Sequence, residues 1–388
     1  MDRKERIAAR AQEHVDAGRF AGIEWRVDQQ DGTYCEGRAG MSDPLNGVPM
    51  PEVPIYRIYS MTKPIVSAMA MMLFDEGRLR LSDPVSTFIP AFERMDVLEP
   101  SGVLRPATTP MLVEHLMTHR AGLSYGFIPA CPVAAAYRQL RFGHGSLEQF
   151  ADQLAALPIA FDPGSAFRYS HATDILARVV EVACGERLDK VLKRRIFEPL
   201  GLEDTGFMVK PSERGRVMAM FGDPKFDQVT MPANGSQTLT PADVSMGYPV
   251  DNPDYVWGGH GLYSTVADYM KVAKFLTSGR AGSQMLLSPA GTRALWRNRI
   301  PQSQLPLSIG ADVLAGYGWG LAGRVMLDAG RSWGYTSNGE FGWAGAASTY
   351  FWVDPQRDLT GVVMTQYLGA SVKLADDMRN AVYQSLEA

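Results

Sequence analysis

No stretch of this chain is long and apolar enough to cross a bilayer as a helix, which takes about 20 consecutive apolar residues. The Met-rich run Ala68 to Phe74 falls well short. No apolar core follows the charged opening Met1-Asp2-Arg3-Lys4-Glu5-Arg6. That segment starts a helix and not a secretory leader, so the protein is expected in the cytoplasm. Cysteine is scarce: Cys35, Cys131 and Cys184 are an odd number without metal-ligand spacing. Three reduced thiols are the simplest account, with one disulfide plus a free thiol as the alternative. Basic charge is not in excess, at a net charge of -4, which excludes a general nucleic-acid binder. The run Lys193-Arg194-Arg195 is short enough to be a solvated helix surface. Internal repeats, low-complexity tracts, a dinucleotide-binding glycine motif and a His-Glu-x-x-His motif are all missing, so neither a cofactor nor a metal is expected.

What remains is a chain of 388 residues, long enough for two domains or for one with a large insertion. Residues 2–17 have helical spacing and stop at Gly18. Gly22 to Val27 alternates as a strand, Asp31-Gly32 is a hairpin turn, and Thr33 to Arg38 pairs back. Met41 to Pro54 reads as a loop. A helix after Ser60 carries Ile65, Met69, Met72 and Leu73 on one face and ends at Gly77. From about residue 90 to 215 the pattern is mainly helical: Met111 to His119, Ser146 to Leu157, Ala172 to Cys184 and Leu188 to Phe197. Beyond 240, helices at Thr265 to Leu276 and Ser288 to Arg297 mix with strands at Ala346 to Val353 and Leu359 to Gln366. A last helix runs from about Ser371 to Glu387. These pieces predict an α/β protein. Residues 1–90 and 240–388 form a discontinuous sheet domain built from both chain ends, and 91–239 an inserted helical domain.

The chemistry centres on Ser60-Met61-Thr62-Lys63, where a short strand runs into a helix. Residues three apart on one helical turn share a face. The lysine amine can therefore reach the serine hydroxyl, and the helix N-terminus favours negative charge there. Alone, the pair reads more readily as a capping serine followed by a surface lysine. The rival Ser124 lies in Gly122-Leu123-Ser124-Tyr125-Gly126, a nucleophile-elbow pattern that requires a preceding strand. A helical segment precedes it instead, and Phe127-Ile128-Pro129 blocks a helix after it. His115 and His119 lie four apart but have no third metal ligand at a recognisable distance. Glycine density at Gly258-Gly259-His260-Gly261 and from Gly339 to Gly345 marks places where backbone turns or comes close to something.

In chain order, several further motifs accompany the Ser-x-x-Lys pair. They are Gly77 to Val85, Leu116 to Leu123, Phe161-Asp162-Pro163-Gly164 with Tyr169-Ser170-His171, Pro199-Leu200-Gly201-Leu202, Gly261 to Thr265, and Trp343-Ala344-Gly345. The ordered set resembles the serine β-lactamase and penicillin-binding protein superfamily over nearly the whole chain. Within it, the set is most similar to the class C-like branch that includes the family VIII carboxylesterases. The resemblance implies a β-lactamase-like fold, an antiparallel sheet flanked by helices. It implies Ser60 as nucleophile with Lys63 and Tyr169 as partners, and an oxyanion hole from the N–H groups of Ser60 and Ala346. His171 stands where class C enzymes carry asparagine. Trp343 and Gly345 replace the Lys-Thr-Gly motif of true β-lactamases, similar to the Trp-Gly-Gly of the esterases.

Serine needs a base at neutral pH. The expectation is that cationic Lys63 lowers the Tyr169 phenol so that Tyr169 takes the proton, with the alternative that crowding and burial leave Lys63 neutral. Tyr125, Phe127, Trp257, Trp343 and Trp352 are read as an apolar acyl or alcohol pocket or, alternatively, as packed core. The expected activity is hydrolysis of short acyl esters through an acyl-enzyme, with a small-molecule ester as the partner and no nucleic acid or membrane. The alternatives are a β-lactamase or D-Ala-D-Ala peptidase, an acyltransferase of the same fold, and a non-catalytic binding relative. The first of these is disfavoured by the missing leader and lysine, and the last by the presence of Ser60, Lys63 and Tyr169.

Overall fold

The computed structural model describes residues 4–30, 32–128, 131–140, 145–223, 237–310 and 312–386. Asp31 of the expected turn, Pro129 and Glu387 lie outside them. Among the described residues the main sheet has eight antiparallel strands. In chain order they are β1 (Gly22–Gln29), β2 (Gly32–Asp43), β3 (Val48–Pro49), β4 (Tyr317–Trp319), β5 (Arg324–Met326), β6 (Phe341–Gly345), β7 (Thr349–Asp354) and β8 (Leu359–Met364). Across the sheet the order is β4-β5-β6-β7-β8-β1-β2-β3. The two chain ends meet where β1 pairs with β8, with Glu24 opposite Met364 and Gln29 opposite Leu359. The segment expected to be a loop therefore carries the end of β2 and all of β3.

Both faces of the sheet are covered. On one face lie α1 (Glu5–Asp16) and the last helix, running Leu374–Leu386. They pack against Trp25, Tyr350, Trp352 and Val363. On the other face lie the helices Thr62–Asp75 and Val266–Ser278, above Phe351, Val353, Val362 and Met364. Successive residues of a strand point to opposite faces, so β7 sends Tyr350 and Trp352 one way and Phe351 and Val353 the other. The helices between are called α2 (Thr62–Asp75), α3 (Ala172–Cys184) and α4 (Val266–Ser278), and the last is α5.

Helix α2 is buried around its whole circumference from Thr62 to Leu73, broader than the single apolar face its spacing suggested. A helix enclosed on all sides belongs in a core. Here it packs against α3 and α4, and one continuous apolar cluster joins it to α3 and to the sheet. Helix α3 spans the expected residues and ends on Gly185, whose φ of 66° is the left-handed C-terminal stop that glycine allows. The mainly helical middle also holds a small hairpin, Asp96–Leu98 with Leu104–Pro106, that was not expected. All three cysteines are free thiols.

Candidate active site

The chain reaches Ser60 through a short strand, Tyr56–Arg57, paired with Tyr263–Ser264. Gln366 clamps that strand at Arg57. Its side-chain oxygen accepts from the Arg57 N–H at 3.0 Å, and its amide donates to the Arg57 carbonyl at 3.2 Å. A 3-10 turn over Tyr59–Met61 follows, and α2 begins at Thr62. Tyr59 adopts φ 44°, a left-handed conformation unusual for an aromatic residue. Its ring packs on Tyr248 at 4.8 Å, and Tyr269 donates its hydroxyl to the Met61 carbonyl at 2.7 Å. Surrounding packing thus holds a strained turn that presents Ser60, half-buried, at the mouth of the core helix. Pro64 lies in the first turn of α2, where its missing N–H costs no helical bond.

Lys63 is 2% exposed and lies beneath Ser60, with Nζ 3.0 Å from Ser60 Oγ. It also donates to the Gly259 carbonyl at 2.6 Å. Nζ lies 4.9 Å from the Tyr169 ring centroid and 5.5 Å from that of Tyr125. Burial pulls the Lys63 amine down to about 7, opposed by the charge of Asp174. Burial pushes the Tyr169 phenol well above its usual range, and hydrogen bonds with Ser60 and Trp343 only partly offset that. Both shifts favour the uncharged form of the group, which fits the alternative of a neutral Lys63. Burial is the cause, because it disfavours the charged form of both groups.

Trp343 on β6 donates its indole N–H to the Tyr169 oxygen at 3.0 Å. His119, buried and at φ 54°, packs its ring 4.6 Å from Tyr169 and 5.2 Å from Trp319. Gly345 sits against the segment before Ser60, and a Cβ there would lie 2.3 Å from the Ile58 carbonyl oxygen. Only glycine lets this strand approach the turn so closely. Ala346 follows immediately, half-buried, in the turn between β6 and β7 and not at a strand start.

Tyr125 joins the group, its ring 4.1 Å from His171 and 5.6 Å from Tyr169, with Phe127 stacked on its outer side at 4.9 Å. Trp257 lies one layer back, buried between Phe150 and His260. Trp352 does not belong to the site. It is fully buried on the opposite face of the sheet, stacked on Tyr350 at 5.5 Å and lying over Gly361. Ser124 is fully buried, donates to the Tyr125 carbonyl and follows a helix, as the elbow argument anticipated. His115 and His119 do not converge: His115 accepts from the Leu112 N–H, while His119 faces Tyr169.

Spacing alone did not reveal Asp174. It is fully buried in the first turn of α3, where it accepts from His171 Nδ1 at 3.0 Å and from the Gly259 N–H at 2.7 Å. Its signal was an acidic residue three after His171, together with the glycine pair at 258–259. A Cβ on Gly258 would lie 2.4 Å from the Ala177 side chain and from the Thr173 carbonyl oxygen.

A half-buried serine with a buried lysine amine 3.0 Å away, on a sheet covered by helices on both faces, defines a serine hydrolase of the β-lactamase-like fold. The Beta-lactamase family pattern matches residues 7–384, and the chain belongs to that family. Among curated proteins, an uncharacterized protein of Mycobacterium tuberculosis is 33% identical over 368 residues, covering 92% of this chain and 89% of that one. Esterase EstB of Burkholderia gladioli is 27% identical over 360 residues, covering 89% and 86%. Among solved structures, EstCE1, described as a hydrolase with promiscuous acyltransferase activity, superposes with a TM-score of 0.81 at 25% identity and covers 98% of both chains. Simvastatin synthase of Aspergillus terreus shares the fold, with a TM-score of 0.81 at 20% identity over 100% of this chain and 98% of that one. No helix among the described residues is long and apolar enough to cross a membrane.

Proposed function

We propose that the protein is a carboxylesterase acting on short-chain acyl esters, with Ser60 as nucleophile, Lys63 as general base and Tyr169 as proton relay. The observation that carries this reading is the neutral-leaning Lys63 amine 3.0 Å from Ser60 Oγ. As Oγ attacks the ester carbonyl, Lys63 takes its proton. The developing oxyanion is met by the N–H groups of Ser60 and Ala346. When the tetrahedral species collapses, the Tyr169 phenol gives its proton to the departing alkoxide, and the Lys63 ammonium restores it. Water then repeats the sequence on the acyl-enzyme, so acid is released and Ser60 regains its proton. Trp343 supports the phenol's role by donating to its oxygen, which leaves the phenol hydrogen directed elsewhere. The same tryptophan stands where a lysine would pair with a β-lactam carboxylate, and this favours neutral esters over β-lactams. EstB and EstCE1 are described as an esterase and a hydrolase, which supports the reading.

A second outcome, acyl transfer to an alcohol, is favoured by the acyltransferase activity described for EstCE1. It uses the same acyl-enzyme with an alcohol in place of water. The test is turnover of a short activated ester by Ser60→Ala and Ser124→Ala. The first should lose at least about 10³-fold and the second should keep most activity. The reverse pattern overturns the assignment. Faster turnover of a chromogenic cephalosporin than of the ester overturns the substrate class, and an added alcohol measures the transfer share.

A further inference from the structure

The proposed mechanism requires the Lys63 amine to be held at one place, yet Lys63 carries four flexible carbons. Its anchor is a backbone group, the Gly259 carbonyl, at 2.6 Å. The same residue's N–H donates at 2.7 Å to Asp174 Oδ1, and the other carboxylate oxygen accepts from His171 Nδ1 at 3.0 Å. Asp174 is 0% exposed and His171 1%. A Cβ on Gly259 would come within 2.8 Å of Asp174 Oδ2, so backbone and carboxylate are in direct contact.

We infer that Asp174 is the positioning residue of this site: its carboxylate grips Gly259 so that the Gly259 carbonyl aims Lys63 at Ser60, while its charge acts on the amine through space. The inference rests on the reading of Ser60 and Lys63 given above. It explains the glycine pair 258–259, which must lie flat on α3. It also explains the histidine that replaces asparagine after Tyr169. Neutral His171 donates its Nδ1 hydrogen to Asp174 and fixes the carboxylate plane, as an orienting partner does for a reacting group. Burial would push the Asp174 carboxyl up, but the His171 hydrogen bond and the surrounding charges hold it below its usual value, so it stays ionised. The groups facing Lys63 are Asp174 from α3, His171 just before it, His260 from the glycine loop, His119 and Tyr125 from the segment after residue 118, and Tyr169. Burial lowers all three histidines, leaving Asp174 as the charge that opposes Lys63 desolvation.

The experiment follows the rate of Ser60 labelling by a fluorophosphonate against pH, in the wild type, Asp174→Asn and Gly259→Ala. In labelling, the Ser60 Oγ–P bond forms, the P–F bond breaks, fluoride leaves, and Lys63 takes the serine proton. Asp174→Asn keeps the shape but removes the charge that favours the ammonium, so the acid limb should move to lower pH by about one unit. Gly259→Ala keeps the charge but pushes the carboxylate off the peptide. Its plateau rate should fall about 10²-fold with the acid limb unmoved, the size of effect that an ångström of misplacement produces. A folded Asp174→Asn with wild-type limb and plateau overturns the inference. So does Gly259→Ala with a wild-type rate, and that variant decides the matter if Asp174→Asn fails to fold. Labelling that persists in Ser60→Ala would instead overturn the parent reading of the nucleophile.

Discussion

Lys63 has an amine that the fold keeps out of water and beside a serine, and both facts have measurable consequences. Because burial draws it to about 7, it is mostly protonated, and unable to act as a base, below that pH. The kcat/KM of a short activated ester should rise through an acid limb near 7 and fall about tenfold per unit below it, which a pH–rate profile checks. The same shift enters stability. In the unfolded chain the amine titrates near 10.4, so between about 7 and 10.4 the unfolded state binds more protons than the folded one. Stability contributed by this group therefore rises with pH across that window and is level below it. Urea midpoints at pH 7 and pH 9 should differ less in Lys63→Met than in the wild type, and Lys63→Met should be inactive. At this scale the sequence was informative about which side chains assemble, because Ser60, Lys63, Tyr169 and Trp343 sit in ordered motifs. It was silent on which of them takes the proton. That depends on burial supplied by α3 and β6, and on Asp174 reaching a backbone group 85 residues away.

The strand β7 shows why a side chain can be assigned to the wrong face. All six of its residues are buried, so no polar alternation separates the side facing Ser60 from the side facing α1 and α5. Register with β6 settles it: Trp343 pairs with Phe351, and both lie on the Ser60 face, whereas Trp352 lies opposite Gly342. Trp352→Ala should accordingly lower stability by about 3–5 kcal/mol in chemical denaturation and leave KM for a short ester unchanged. Loss of affinity without loss of stability would return Trp352 to the pocket. Strand β6 was not expected because Gly342, Ala344 and Gly345 are residue types depleted in strands. Its glycines are required by the approach to Ile58 and to β7, so tertiary contact overrides local preference there. Helix α3, with its start at Ala172 and its glycine stop at Gly185, was legible, since a left-handed glycine stop is a local signal.

Across the whole molecule, the resemblance to a known superfamily made the fold legible, and the pairing of β1 with β8 shows how the two chain ends come together. A buried polar knot ties the last helix to that sheet. Arg379 on α5 donates to Glu340 at 3.0 Å and to Tyr317 and Tyr350 at 2.9 and 3.3 Å, with Arg379 3% and Glu340 0% exposed. Removing one partner of a buried pair strands the other. Arg379→Met should cost about 3–5 kcal/mol by thermal or urea unfolding, while Ser60 labelling by the folded fraction stays at the wild-type rate.

The meeting of the ends also has a consequence for synthesis. Ser60 leaves the ribosome early, but Trp343, Gly345 and the β8 partner of β1 are made near the end. Helical segments close through nearby residues and form quickly, whereas β1 must wait for contacts more than 300 residues distant. During that interval β1 offers an unpaired edge that can capture other chains. On the proposed mechanism, Ser60 is chemically silent over the same interval, since neither Trp343, the partner of Tyr169, nor the β6–β7 turn bearing Ala346 yet exists. On that mechanism, acylating power therefore arrives only with the completed fold.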